Sequence, residues 1–82
     1  MVTPDSIEHS IAAGLLCDHL EVEGDGHHFR AVIVSAAFAG LTKVRQHQLV
    51  YAALGDRMRE EIHALSMTTL TPAQWRDSLA NK

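Results

Sequence analysis

Residues 19–35 restrict the fold more than any other stretch. His19-Leu-Glu-Val-Glu23 alternates polar and apolar side chains with a period of two, and His28-Phe-Arg-Ala-Val-Ile-Val-Ser35 is rich in β-branched residues. Between them stands Gly24-Asp25-Gly26, the chemistry of a tight turn. Two strands joined by so short a connection pair antiparallel, so the chain contains a β-hairpin.

The elements around the hairpin are marked by their caps. Thr3 and Pro4 read as N-cap and first helical residue, and Ile7, Ile11 and Leu15 follow on one face, widened by Ala12 and Leu16. This predicts a first helix running to about Leu16. After the hairpin, Ser35-Ala-Ala-Phe-Ala-Gly40 predicts a short helical turn closed by glycine. Val44, His47, Tyr51, Leu54 and Met58 then recur at helical spacing, predicting a second helix with that stripe turned inward. Residues 62–70 predict a third strand. It stops at a capping box, with Thr71 as N-cap, Pro72 at N1 and Gln74 at N3, while Leu70 and Trp75 are placed as a hydrophobic staple. A final helix therefore starts at Pro72, anchored by Trp75. The order is α-β-β-α-β-α in one domain over residues 1–82, an α+β fold. The helical passage between strands two and three implies a right-handed parallel crossover, giving a three-stranded mixed sheet with helices on one face.

Composition narrows the function. In 82 residues, 46% are hydrophobic and 21% charged, and no apolar run is long enough to span a bilayer. No signal-peptide pattern follows Met1, so a cytoplasmic protein without membrane association is expected. The formal net charge of −3 supplies no overall basic field for phosphate backbones. Cys17 is the single cysteine, which rules out an internal disulfide framework or a thiolate cage built by one chain. It reads as a small packed thiol.

The histidines then become the chemically interesting groups. In a regular strand His28 shares its face with Arg30, and His27 shares its parity with Phe29, Ala31 and Ile33. The arginine marks the His28 face as the open one. A strand-edge histidine such as His63 is, on sequence alone, ordinarily a partly buried hydrogen-bonded side chain. His47, on the apolar stripe, reads as an inner-face histidine, and His9 and His19 as solvated surface.

His28-Phe29, Phe38-Ala-Gly40, His47-Gln-Leu-Val-Tyr51, Ile62-His-Ala-Leu-Ser66 and Thr71-Pro-Ala-Gln-Trp75, in this order, resemble the BolA family over nearly the whole chain. The short Gly-Asp-Gly turn and short tail are similar to its compact bacterial branch. The resemblance implies a fold like the class II KH domain and a heterodimer with a monothiol glutaredoxin. It also implies a shared [2Fe-2S] cluster, for which glutaredoxin and glutathione supply thiolates and the BolA protein supplies histidine. Carried over by position, the ligands are His63 and a member of the Asp25-Gly-His-His28 loop, with His28 favoured by parity and His27 the alternative. Some relatives place a loop cysteine nearer Asp25. Imidazole is an accepted ligand of [2Fe-2S] iron, as in Rieske centres, and it binds in its neutral form, so such ligation weakens in mild acid. The family commonly has Arg-His where this chain has Gln46-His47, with the arginine shifted to Arg45.

Two other classes compete. The KH-like order and Lys43, Arg45, Arg57 and Arg59 suggest a DNA-binding transcriptional regulator. Asp56, Glu60 and Glu61 stand beside those cations, however, and there is no Gly-x-x-Gly clamp or aromatic platform. An enzyme is disfavoured by the lack of a nucleophile with a positioned base, paired carboxylates or a phosphate loop. Iron-sulfur trafficking and an iron or stress response both fit the resemblance, and a weak homodimer is compatible with it.

Overall fold

The computed structural model describes residues 2–57, 62 and 64–80. Helix α1 spans Pro4–Gly14, strand β1 His19–Gly24 and strand β2 His28–Val34. A 3₁₀ turn at Ala36–Phe38 follows, then helix α2 at Lys43–Leu54, strand β3 at Ala64–Leu70 and helix α3 at Pro72–Ala80. The sheet order is β1-β2-β3, with β1 antiparallel and β3 parallel to the central strand. The expected α+β order and mixed sheet are present.

Local chemistry accounts for the boundaries. The Thr3 hydroxyl accepts from the Ser6 amide at 3.1 Å and the Ser6 hydroxyl accepts from the Thr3 amide at 3.2 Å, a reciprocal cap on α1. That helix ends at Gly14, before the expected Leu16. The reason is twofold. A Cβ on Gly14 would stand 2.9 Å from the Ala53 Cβ, so α1 and α2 cross here at a distance only glycine allows. The chain then extends at Leu15, and the Leu16 carbonyl accepts from the buried Ser35 hydroxyl at 2.7 Å. Leu16 is consequently 87% exposed, and Ala12 is exposed too, so the inward stripe of α1 is narrower than its apolar residues suggested.

Ile7, Ile11, Phe29, Ala31, Ile33, Phe38, Val50, Leu54 and Ile62 form one buried cluster, joined by Leu20, Val22, Leu65 and Met67 at its margin. The inward face of α2 differs from the expected stripe. Val44 is 67% and Tyr51 40% exposed, His47 is half-buried, and the buried residues are Gln46, Val50 and Leu54. Met58, the last member of the expected stripe, lies outside the described residues. Gln46 wins an inner position because its amide is fully used. Nε2 donates to the Phe38 and Leu41 carbonyls, each at 3.1 Å, and Oε1 accepts from the buried Thr69 hydroxyl at 2.6 Å. One side chain thus ties the 3₁₀ turn, α2 and β3 together.

The capping box on α3 forms as written, with the Thr71 amide donating to Gln74 Oε1 at 2.9 Å and the Gln74 amide to Thr71 Oγ1 at 3.2 Å. No residue of α3 is buried. Its anchor is Trp75, whose ring stacks on His19 with centroids 4.5 Å apart and planes 19° from parallel. His19 is therefore half-covered instead of solvated. Its Nε2 is shielded from solvent and lies 3.3 Å from the Glu21 carboxylate, too poorly aligned to count as a hydrogen bond. His9 is exposed, as expected.

Replacing Gln46 with Ala should lower stability by about 2–4 kcal/mol, because the Thr69 hydroxyl and two carbonyls lose their partner inside the core. Urea unfolding followed by circular dichroism measures it; a change within about 0.5 kcal/mol would mean that water replaces the amide.

Candidate metal and partner site at the hairpin end

The loop between β1 and β2 is organised by Asp25. Its Oδ1 accepts from the His27 and His28 amides, both at 2.9 Å, and its own amide donates to the His28 carbonyl at 3.2 Å. Gly26 takes φ 98°, a left-handed conformation that the Asp-Gly turn requires. Gly24 is equally constrained, since a Cβ there would stand 2.5 Å from the His28 carbonyl oxygen and 2.6 Å from Phe29 Cδ1. The two amide donors, first that of His28 and then that of His27, hold the Asp25 carboxyl below the usual aspartate range.

Two adjacent imidazoles leave this loop by different routes. His28 begins β2, is exposed, and has Phe29 buried beneath the other face. His27 is exposed within the turn. A groove of about 500 Å³ runs over the sheet end, lined by Glu23, Gly24, Asp25, His28, Phe29, Arg30 and Ser66, and His27 does not line it. Glu23 and Arg30 pair across its rim at 3.3 Å, both well exposed. His28 stands in register with Ala64, the residue that follows His63 in the sequence. His63 itself lies outside the described residues, so the geometry joining the two expected ligands is not described.

The donor set that is described has a clear chemical character. No three His, Cys, Asp or Glu side chains among the described residues cluster to hold a metal ion. Cys17 precedes β1, whose first residue pairs with Val34 at the end of the sheet away from the hairpin. Its thiol donates to the Leu15 carbonyl at 3.3 Å, and burial, then the Asp18 charge, push its pKa up. The hairpin end thus offers exposed imidazole nitrogen without a thiolate. That set fits one side of a shared iron-sulfur cluster, provided that a partner brings the sulfur ligands.

The basic residues are more committed than the sequence suggests. The Lys43 ammonium donates to the Thr69 carbonyl. Arg57 reaches back to α1, where its guanidinium donates to the Ser6 carbonyl at 2.8 Å, the Ser6 hydroxyl at 2.8 Å and the Ser10 hydroxyl at 2.6 Å. Arg45 is exposed, and Arg59 lies outside the described residues. Sequence reasoning counted Asp25 only as a member of the candidate ligand loop and missed its role as loop organiser, although Asp followed by Gly carries that signal. The roles of Ser66 and Glu23 in the groove had no such signal.

A family model described as BolA-like protein matches residues 1–74. The acid stress protein IbaG of Escherichia coli is 34% identical over 79 residues, which cover 94% of both chains. The DNA-binding transcriptional regulator BolA of Haemophilus influenzae is 40% identical over 58 residues, 71% of this chain and 56% of that one. The chain spans 44% of the length of the mammalian relatives it matches. Among solved structures, a BolA homologue from Coxiella burnetii superposes with a TM-score of 0.84 at 45% identity, covering 93% of this chain and 99% of that one. No helix among the described residues is long and apolar enough to cross a membrane.

Acidification should unpin the loop. A carboxyl depressed in the folded state contributes stability above the ordinary aspartate range, and loses it as pH falls through its lowered value. In an NMR titration the His27 and His28 amide resonances should move together with the Asp25 carboxyl, below the pH at which exposed aspartates titrate. In Asp25→Ala that coupled movement should vanish, and its persistence would remove Asp25 as the organiser.

Proposed function

The chain belongs to the BolA family, and from that membership we propose that it is a binding partner of monothiol glutaredoxins. In this reading it co-ligates a glutathione-dependent [2Fe-2S] cluster through His63 and a hairpin histidine, and serves cluster trafficking or an iron or stress response. The observation that carries the reading is an exposed His28 at the start of β2, registered with the residue after His63, in a chain whose only thiol is half-buried elsewhere. A lone imidazole donor is useful to a cluster only when another molecule supplies thiolates. The cluster would bring its redox-active iron and its lability. This chain's own residues would supply nitrogen ligands and a fixed loop to present them. The groove supports His28 over His27, because His28 lines it and His27 does not. Nothing in the reading requires bond-making chemistry, so the role is binding and not catalysis.

DNA binding, the activity in the name of the Haemophilus relative, is the competing reading. It loses support from the engagement of Lys43 and Arg57 within the domain, which reduces the cations available to phosphates. Any duplex binding should be weak and steeply salt-dependent. Nanomolar, sequence-selective binding near physiological salt would reverse the ranking.

The decisive experiment is anaerobic cluster reconstitution of the chain with a monothiol glutaredoxin and glutathione, read by visible absorption and circular dichroism. A spectrum distinct from that of the glutaredoxin alone is expected. His63→Ala should abolish it with the fold intact, and His28→Ala should weaken or shift it while His27→Ala has the smaller effect. A folded His63→Ala chain that binds glutaredoxin and keeps the wild-type spectrum would overturn the assignment.

A further inference from the structure

Helix α3 is the least committed element of the fold. None of its residues is buried, and at nine residues it is too short to hold itself helical in water once it leaves the sheet. Its tethers are the Thr71 cap and the stack of Trp75 on His19. His19 stands in register with Val34, so the two share a face of the sheet. Val34 is fully buried yet stands outside the apolar cluster, so the sheet is closed on this second face where Trp75 lies. The nitrogen at the centre of the contact is anomalous. His19 Nε2 is buried without a hydrogen bond, the one such side-chain atom among the described residues, and Glu21 Oε2 stands 3.3 Å away. In neutral imidazole that atom is either an acceptor facing a carboxylate or a donor without alignment, and both disfavour the seated helix.

We propose that His19 is a proton-operated latch for α3: protonation clamps the helix onto the sheet through Glu21 and Trp75, and deprotonation loosens it and uncovers Val34. Protonation changes both contacts at once. An ion pair depends on distance more than on angle, so the imidazolium is attracted to Glu21 as it stands. The same cation lies against the face of an indole, the ring that attracts cations best. The surrounding charges do not oppose it. Asp18, the residue before His19, is an exposed acid, Val34 across the ladder and the whole of β3 are uncharged, and Arg76 and Asp77 of α3 are exposed and opposite in sign. By linkage, a proton held more tightly by the seated form stabilises that form wherever the proton is bound. The clamp is therefore complete in mild acid and fades as pH rises through the imidazole range, roughly pH 5 to 8. Imidazole ligation at the hairpin end has the opposite sign, since acid weakens it, and involves different residues. The latch stands apart from the proposed cluster function.

Amide hydrogen exchange on the whole chain reads the latch, because a released α3 unwinds and its amides from Trp75 onward, the first of which donates to the Thr71 carbonyl at 3.0 Å, lose protection. Corrected for the intrinsic pH dependence of exchange and referred to the β2 amides, their protection should be about three- to tenfold higher at about pH 5.5 than at about pH 8. His19→Gln, which cannot take up the proton, should make that protection independent of pH. Glu21→Gln keeps both the imidazole and the ring stack, so it tests the latch even where glutamine at position 19 fails to seat the helix. It should show a smaller ratio than the wild type, the part that the indole carries. A wild-type ratio near one would overturn the inference. So would a pH dependence that survives His19→Gln, or one undiminished in Glu21→Gln.

Discussion

The rest of the molecule depends on β2 being the central strand. Flanked by β1 through a three-residue turn and by β3 in parallel, it commits its entire backbone to pairing. Parallel alignment with β3 forces the chain back across the sheet, and the 3₁₀ turn and α2 make that return. The same constraint gives β2 two ends of opposite character. One begins with an exposed histidine over a carboxylate-pinned turn, and the other ends in Val34 and Ser35, both fully buried. Chemistry belongs at the first end and closure of the core at the second.

Polar groups do much of the closing. Ser35 holds the tail of α1, Gln46 and Thr69 join α2 to β3, and Arg57 links the segment after α2 to the first turns of α1. Each saturates carbonyls or hydroxyls that an irregular connection would otherwise leave without partners. The apolar cluster supplies cohesion, and these links decide where each helix sits on it.

Elements specified by neighbouring residues were legible in the sequence. The hairpin, the reciprocal cap at Thr71 and the parallel crossover all follow from short-range chemistry, and the structure contains them. The inward face of α2 was not legible in this way. Periodicity selects apolar residues, so it chose Val44 and Tyr51, and it could not see that Gln46 finds partners eight and twenty-three residues away. The same blindness made Arg57 look like a surface cation, although its partners lie about fifty residues earlier. It also made His19 look solvated, because the ring that covers it comes from the far end of the chain. At the hairpin end, parity correctly put His28 on the open face, and the Asp25 contacts to two successive amides were signalled by the Asp-Gly pair but went unread because the residue was weighed only as a member of the ligand loop.

The stacking of Trp75 on His19 decides what intrinsic fluorescence can report. The chain has one tryptophan, and it sits where α3 meets the start of β1, at the end of the sheet opposite the hairpin. Its emission is a local gauge of whether α3 is seated. Events confined to the Asp25 loop should be nearly silent in that signal. A change in emission when a molecule engages the hairpin would therefore register a disturbance carried along β1 from Gly24 to His19, which makes this single indole a built-in monitor of communication through the sheet.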